Sequence, residues 1–192
     1  MKKTIMLLLT VICLSDAVAE DNGWGAYGTY WAPGNWDSAA GVGTKISFEV
    51  VPNALLDVSC SWFQELEDNS GMTTAKIDVM PVDIGLSFFA GTKPVNIYLT
   101  AGYSYYYIDG SLSLGGNRER DAFDDESGFY GGAGIEVPIK ENQAYLGATR
   151  IAFVMEALYR YVAVEEITSS VGDIVGGEAD GICVNAGFMI RW

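Results

Sequence analysis

Apolar and polar side chains alternate with period two along most of this chain, in segments of about ten residues or more, as in β-strands whose two faces meet different surroundings. In the last segment Ile182, Val184, Ala186, Phe188, Ile190 and Trp192 share one face, against Gly181, Cys183, Asn185, Gly187, Met189 and Arg191. From Val95, the residues Val95, Ile97, Leu99, Ala101, Tyr103, Tyr105 and Tyr107 oppose Asn96, Tyr98, Thr100, Gly102, Ser104 and Tyr106. Ala40, Val42, Thr44, Ile46, Phe48 and Val50 likewise oppose Gly41, Gly43, Lys45, Ser47 and Glu49, and Ala54, Leu56, Val58, Cys60 and Trp62 oppose Leu55, Asp57, Ser59 and Ser61. A further segment sets Met80, Val82, Ile84, Leu86 and Phe88 against Pro81, Asp83, Gly85 and Ser87, with an irregularity expected at Pro81, which has no N–H for the ladder. Phe129, Gly131, Ala133, Ile135 and Val137 oppose Tyr130, Gly132, Gly134 and Glu136, and Ile151, Phe153, Met155, Ala157, Tyr159 and Tyr161 oppose Arg150, Glu156 and Arg160. Trp24 to Trp31 completes a set of eight predicted strands, with its facing ambiguous.

The connections alternate in length. Short turns are expected at Pro52-Asn53, Gly91 to Pro94 and Lys140 to Gln143. Long polar connections are expected at Ala32 to Asp37, Glu65 to Gly71, Asp109 to Glu126 and Ile167 to Glu178. These lengths predict an all-β fold: an eight-stranded antiparallel up-and-down barrel with both termini at its short-turn end.

A soluble barrel buries its apolar face inside; a membrane barrel turns it out to lipid. The polar face carries Lys45, Glu49, Asp57, Asp83, Glu136, Arg150, Glu156, Arg160 and Arg191, a near balance of charge suited to pairing across a narrow lumen. On the apolar face, Trp62, Tyr105, Tyr107, Phe129, Tyr159 and Tyr161 gather near the long connections, and Phe88, Tyr145 and Trp192 near the short turns. Two such girdles suit two lipid–water boundaries, which selects the transmembrane form over a lipocalin-like soluble barrel. No run after residue 20 reaches the roughly 18 apolar residues of a membrane helix.

The N-terminus sets the compartment. Lys2 and Lys3 precede the apolar run Thr4 to Leu14, and Ala17-Val18-Ala19 follows, a signal-peptide pattern that divides the chain into a cleaved segment 1–19 and a barrel domain 20–192. Cys13 follows Ile12 where a lipobox wants Gly or Ala, so lipidation is not expected. The 192 residues contain no histidine and carry a formal charge of −14, which removes histidine-dependent catalysis and makes nucleic acid an unfavourable partner.

With those features in hand, the chain resembles the small outer-membrane β-barrel superfamily, the OmpA, OmpX and OmpW-like barrels of Gram-negative bacteria. The resemblance rests on the signal peptide, the eight alternating strands, the ending Phe188-x-Ile190-x-Trp192, and the stretches Met80 to Leu86, Tyr98 to Tyr103, Gly132 to Glu136 and Met155 to Tyr161. It implies residence in the cell outer membrane among its lipids and lipopolysaccharide. It also implies that the barrel-assembly machinery recognises the C-terminal strand through Trp192, where the family usually has Phe. The chain stops at its last strand, so no periplasmic peptidoglycan-binding domain is expected. The segment Ala144 to Glu165 is longer than a span requires, so part of it should project beyond the membrane.

The inward charges suggest a salt-bridged plug, with Glu156 and Arg160 reaching Lys45, Asp57, Arg191 or their neighbours. Asp121, Asp124, Asp125 and Glu126 read as a solvated acidic loop, since they lack the ligand spacing of a twelve-residue calcium loop and nothing separates their acidities for catalysis. Gly41-x-Gly43-Thr44-Lys45 lacks the first glycine of a phosphate loop and lies in a strand, so its glycines read as small inward residues. Cys60 and Cys183 fall on opposite faces of strands that are not neighbours, so two free thiols are expected. No catalytic, cofactor-binding or metal-ligating residue is assigned. The expected protein is a monomeric, non-enzymatic barrel that presents acidic extracellular loops in a structural or surface-interaction role. The alternatives are a narrow OmpW-like channel for small or hydrophobic solutes and, with the faces inverted, a soluble periplasmic ligand-binding barrel.

Overall fold

The computed structural model describes residues 22–34, 36–70, 73–90, 95–114, 117–120, 125–144, 147–168 and 174–192. In chain order its strands are β1 (Gly23–Pro33), β2 (Ala39–Val51), β3 (Ala54–Ser70), β4 (Thr73–Ala90), β5 (Asn96–Leu114), β6 (Asn117–Arg120), β7 (Glu126–Ala144), β8 (Gly147–Thr168), β9 (Ile174–Glu178) and β10 (Gly181–Arg191). Apart from the short β6 and β9, these strands form the eight-stranded wall, each pairing antiparallel with its neighbours in chain order. β10 closes the barrel by pairing with β8 on one side and with β1 on the other, from Gly23↔Arg191 to Pro33↔Gly181. At the short-turn end Asn22, just before β1, and Trp192, just after β10, exchange two backbone hydrogen bonds of 3.1 and 2.9 Å.

The alternation orients every wall strand but β1 as the pattern of side chains predicts. Val42, Ile84, Leu86, Leu99, Met155 and Ile182 stand exposed on the outside, while Asp57, Asp83, Glu136, Glu156, Arg160 and Arg191 are buried within. An apolar belt of this extent is unsustainable in water but is the correct exterior in lipid. The facing of β1, which the sequence left ambiguous, is set by its two partners: Trp24 and Tyr30 point out, and Thr29 and Trp31 point in. The predicted outer-face aromatics are exposed, including Trp62, Tyr107, Phe129, Tyr159, Tyr161, Phe88 and Trp192; Tyr145 lies outside the described residues.

Several predicted connections are strands instead. β3 runs through Ser70 and pairs with β4 from Thr73; β5 runs to Leu114 and pairs with β6; β8 runs to Thr168 and pairs with β9. Their polar composition hid them, because a polar strand has no apolar face to reveal its period. Lys140 to Gln143 is likewise strand, with β7 and β8 paired down to Ala144↔Gly147. The expected seventh strand therefore begins at Gly147, not at Ala144. It is 22 residues long, where a tilted crossing needs about 9–11. The turn at Pro52-Asn53 is as expected, and Asn53 adopts a left-handed φ of 66° there. Residues 91–94 lie outside the described set.

The irregularity expected at Pro81 falls on one side only. Pro81 pairs in register with Tyr106 on β5, whereas the β3–β4 ladder loses its rungs between Cys60↔Val82 and Phe63↔Val79 without a change of register, and shifts once, between Phe63↔Val79 and Leu66↔Ile77. That shift carries Leu66 to the inside, where odd-numbered residues of β3 had pointed until Phe63.

Inward glycines act as sockets for inward tyrosines. A Cβ on Gly134 would strike the ring of Tyr98, one on Gly43 that of Tyr27, and Gly85 and Gly102 face each other beneath Tyr130. Gly134→Ala is expected to destabilise the barrel by about 1–3 kcal/mol through overpacking. Gly131→Ala, whose Cβ would point outward with its nearest neighbour at 3.8 Å, is expected to be neutral. Urea midpoints of the two variants in detergent micelles check the contrast.

Candidate functional site: the lumen

The inward side chains form tiers along the barrel axis, and β8 supplies a charge to each of the three charged ones. Lowest, toward the short turns, Glu136 accepts hydrogen bonds from Arg191 Nε and Nη2 at 2.9 and 2.7 Å and from Arg150 Nη2 at 2.9 Å. The Arg191 guanidinium also lies 5.5 Å from the centre of the Phe89 ring. In the middle, Glu156 pairs with Lys45 and accepts from the Tyr98 hydroxyl at 2.8 Å and the Asn185 amide at 3.1 Å. Lys45 also lies 3.9 Å from Asp57, whose carboxylate accepts from Ser47 at 2.6 Å and Ser87 at 2.5 Å. Above these, Arg160 and Asp83 form a fork-on-fork pair with Nη1···Oδ1 2.9 Å and Nη2···Oδ2 2.8 Å. Ser104 and Ser59 complete the shell of Asp83 at 2.6 and 3.1 Å, and the Tyr130 ring lies 5.7 Å from the guanidinium.

The expected inward charges other than Glu49 thus meet in one lumen, with Glu156 on Lys45 as anticipated, while Glu49 stands half-buried near the short-turn end of β2. Two partners differ: Arg160 meets Asp83, and Arg191 meets Glu136. Height along the barrel decides this. Four residues of strand separate Glu156 from Arg160, a rise of roughly 13 Å, which carries the guanidinium past Lys45 to the level of Asp83. Lys45, Arg150, Arg160 and Arg191 against Asp57, Asp83, Glu136 and Glu156 leave the three tiers formally neutral.

Around and above Arg160, toward the long-loop end, lies a fourth tier that the sequence reading missed. Trp31, Phe63, Leu66, Ile77, Val79, Tyr106, Leu158 and Val162 form a closed apolar cluster, with Trp36 and Ala179 folded onto it. Trp31 packs on Phe63 at 5.4 Å and stacks with Tyr106 at 6.1 Å. The signal was present as adjacent apolar pairs, Trp62-Phe63, Val79-Met80 and Leu158-Tyr159, where both faces of a strand are greasy at once.

Cys60 points outward and Cys183 inward, and both are free thiols; Cys183 lies 3.2 Å from the Thr29 hydroxyl. Lys45 and the glycines before it are part of the wall of β2, as expected. Of the acidic run, Asp121 and Asp124 lie outside the described residues, whereas Asp125 accepts from the Ile108 N–H at 3.1 Å and the Tyr105 hydroxyl at 3.3 Å.

Among solved structures, the chain is similar to outer membrane protein OprG of Pseudomonas aeruginosa, with 13% identity, coverage of 91% of this chain and 96% of that one, and a TM-score of 0.63. It is also similar to the N-terminal β-barrel domain of OprF from the same organism (11%, 91% and 98%, 0.52). A third match is a major outer membrane protein of Thermus thermophilus (7%, 89% and 99%, 0.51). At these identities the likeness is one of fold. Comparison with curated proteins yields no match. A family model described as outer membrane protein beta-barrel domain matches residues 4–169, most of the chain, and the barrel is completed by β10 beyond that match. The chain is therefore a member of the outer membrane β-barrel family.

Proposed function

We propose that this outer membrane protein is a sealed barrel with a structural or surface-interaction role, its lumen plugged and its strand extensions and acidic loops turned to the cell exterior. The observation that carries this reading is the lumen itself, in which three charge-compensated tiers lie beneath an apolar cluster where Trp31, Phe63, Leu66 and Tyr106 are at most 1% exposed. Eight strands enclose a bore that side chains fill, and here they fill it with ion pairs at one end and packed rings at the other. The protein binds outer-membrane lipid through its apolar belt, enters the membrane through recognition of the strand ending in Trp192, and works as a monomer without catalytic chemistry. Residues 1–19 serve as the export signal and are removed.

A narrow channel for small or hydrophobic solutes is the second reading, favoured by the interrupted β3–β4 ladder beside exposed Trp62. Planar-bilayer recording separates the two. The sealed barrel is expected to give no steady single-channel conductance and no faster uptake of a small apolar solute by liposomes. Either signal would favour the channel.

A further inference from the structure

On the outward face of the wall, toward the long connections, β3, β4 and β5 enclose an open cleft of about 510 Å³. Met80 and Tyr107 are a cross-strand pair at its floor, and Asp78 and Asp109 are the next outward pair toward the loops. Trp62 projects into it from the part of β3 where the ladder with β4 is interrupted, so its ring and that of Tyr107 come from the two strands flanking Met80. Asp125 is held at the rim by the bonds from Ile108 and Tyr105, and Tyr105 packs edge-on against Tyr107 with ring centres 4.9 Å apart. Two exposed aromatic rings, an adaptable thioether and three carboxylates thus line one concavity.

Each component favours a cation with an apolar body. Indole and phenol faces attract positive charge, most strongly where water is thinned, and carboxylates add direct attraction. The thioether of Met80 accommodates aliphatic chains of varied shape. The cleft lies on the same face of β4 as Ile84 and Leu86, so its lower edge continues into the apolar belt and a ligand's hydrocarbon can lie against lipid. Anionic headgroups are repelled by the same carboxylates. A bare metal ion is poorly served, since no group of three His, Cys, Asp or Glu among the described residues is arranged to hold one. We propose that this cleft binds cationic amphiphiles, with an ammonium group against Asp78, Asp109 and Asp125 and an apolar segment against Trp62, Met80 and Tyr107.

The test uses the full barrel in phosphatidylcholine nanodiscs with 13C-methyl-labelled methionine, the Met80 signal being assigned from Met80→Leu. Octyltrimethylammonium is expected to shift the Met80 methyl resonance saturably, octanol about tenfold more weakly or less, and octyl sulfate not at all. Asp78→Asn combined with Asp109→Asn, and separately the exposed-site change Trp62→Leu, should each weaken the ammonium probe about tenfold while heat-dependent gel mobility stays that of the folded barrel. An unsaturable shift, equal binding of octanol, or undiminished affinity in the folded variants would overturn the proposal.

Discussion

Arg160→Ala is expected to lower the unfolding free energy of the barrel by about 3–5 kcal/mol, read as an earlier urea midpoint and loss of the compact gel form at lower temperature. The substitution removes both arms of the fork and leaves Asp83, 2% exposed, charged between Ser59 and Ser104 without its cation. Two serine hydroxyls cannot replace a guanidinium in a site from which water is excluded, so the penalty is that of an uncompensated buried charge. Replacing both partners separates this cause from simple loss of packing. Arg160→Met with Asp83→Asn nearly keeps the volume and removes both charges, and should recover most of the loss. If Arg160→Ala leaves the midpoint unchanged, the lumen is wet at this level and the sealed-barrel reading fails with it.

Phe63→Ala should cost a similar amount, about 3–5 kcal/mol, for a different reason. Phe63 is fully buried and its ring packs on Trp31, which in turn stacks on Tyr106. Deleting it opens a cavity that neighbours anchored in paired strands cannot collapse to fill, so the loss combines transfer and cavity terms. Phe63→Leu restores most of the volume and should recover most of the stability. Measured beside Trp62→Leu, which alters the adjacent but exposed side chain, the contrast assigns the effect to the apolar tier: the outward change should leave the midpoint within about 0.5 kcal/mol of the parent.

These two sites differ in how far the chain announces them. Arg160 was legible as an inward charge, because in a strand of period two its place two residues from Leu158 and opposite in face to Tyr159 and Tyr161 leaves no other direction. Its partner was not legible, since pairing depends on relative height, and height depends on register and on every shift in the ladder. The turn into the interior of Leu66 is of the same kind: it follows from the break in pairing between Phe63 and Leu66, which parity counted from Ala54 misses. Trp31 was ambiguous on β1 because aromatics and glycines stand on both of its faces, and only pairing with β2 and β10 orients it.

By itself, the sequence determined the class of fold, the number of wall strands, the face each turns to lipid except in β1, and the inward location of the charged residues, because all of these follow from local alternation and from which chemistry tolerates hydrocarbon. The tertiary structure decided what requires two strands at once: that Asp83 receives Arg160, that Glu136 gathers two arginines, that an apolar cluster closes the long-loop end, and that polar segments continue as paired strands. A strand's own residues state which way it faces; where it stands against its neighbours is set only when the ladders form and the barrel closes.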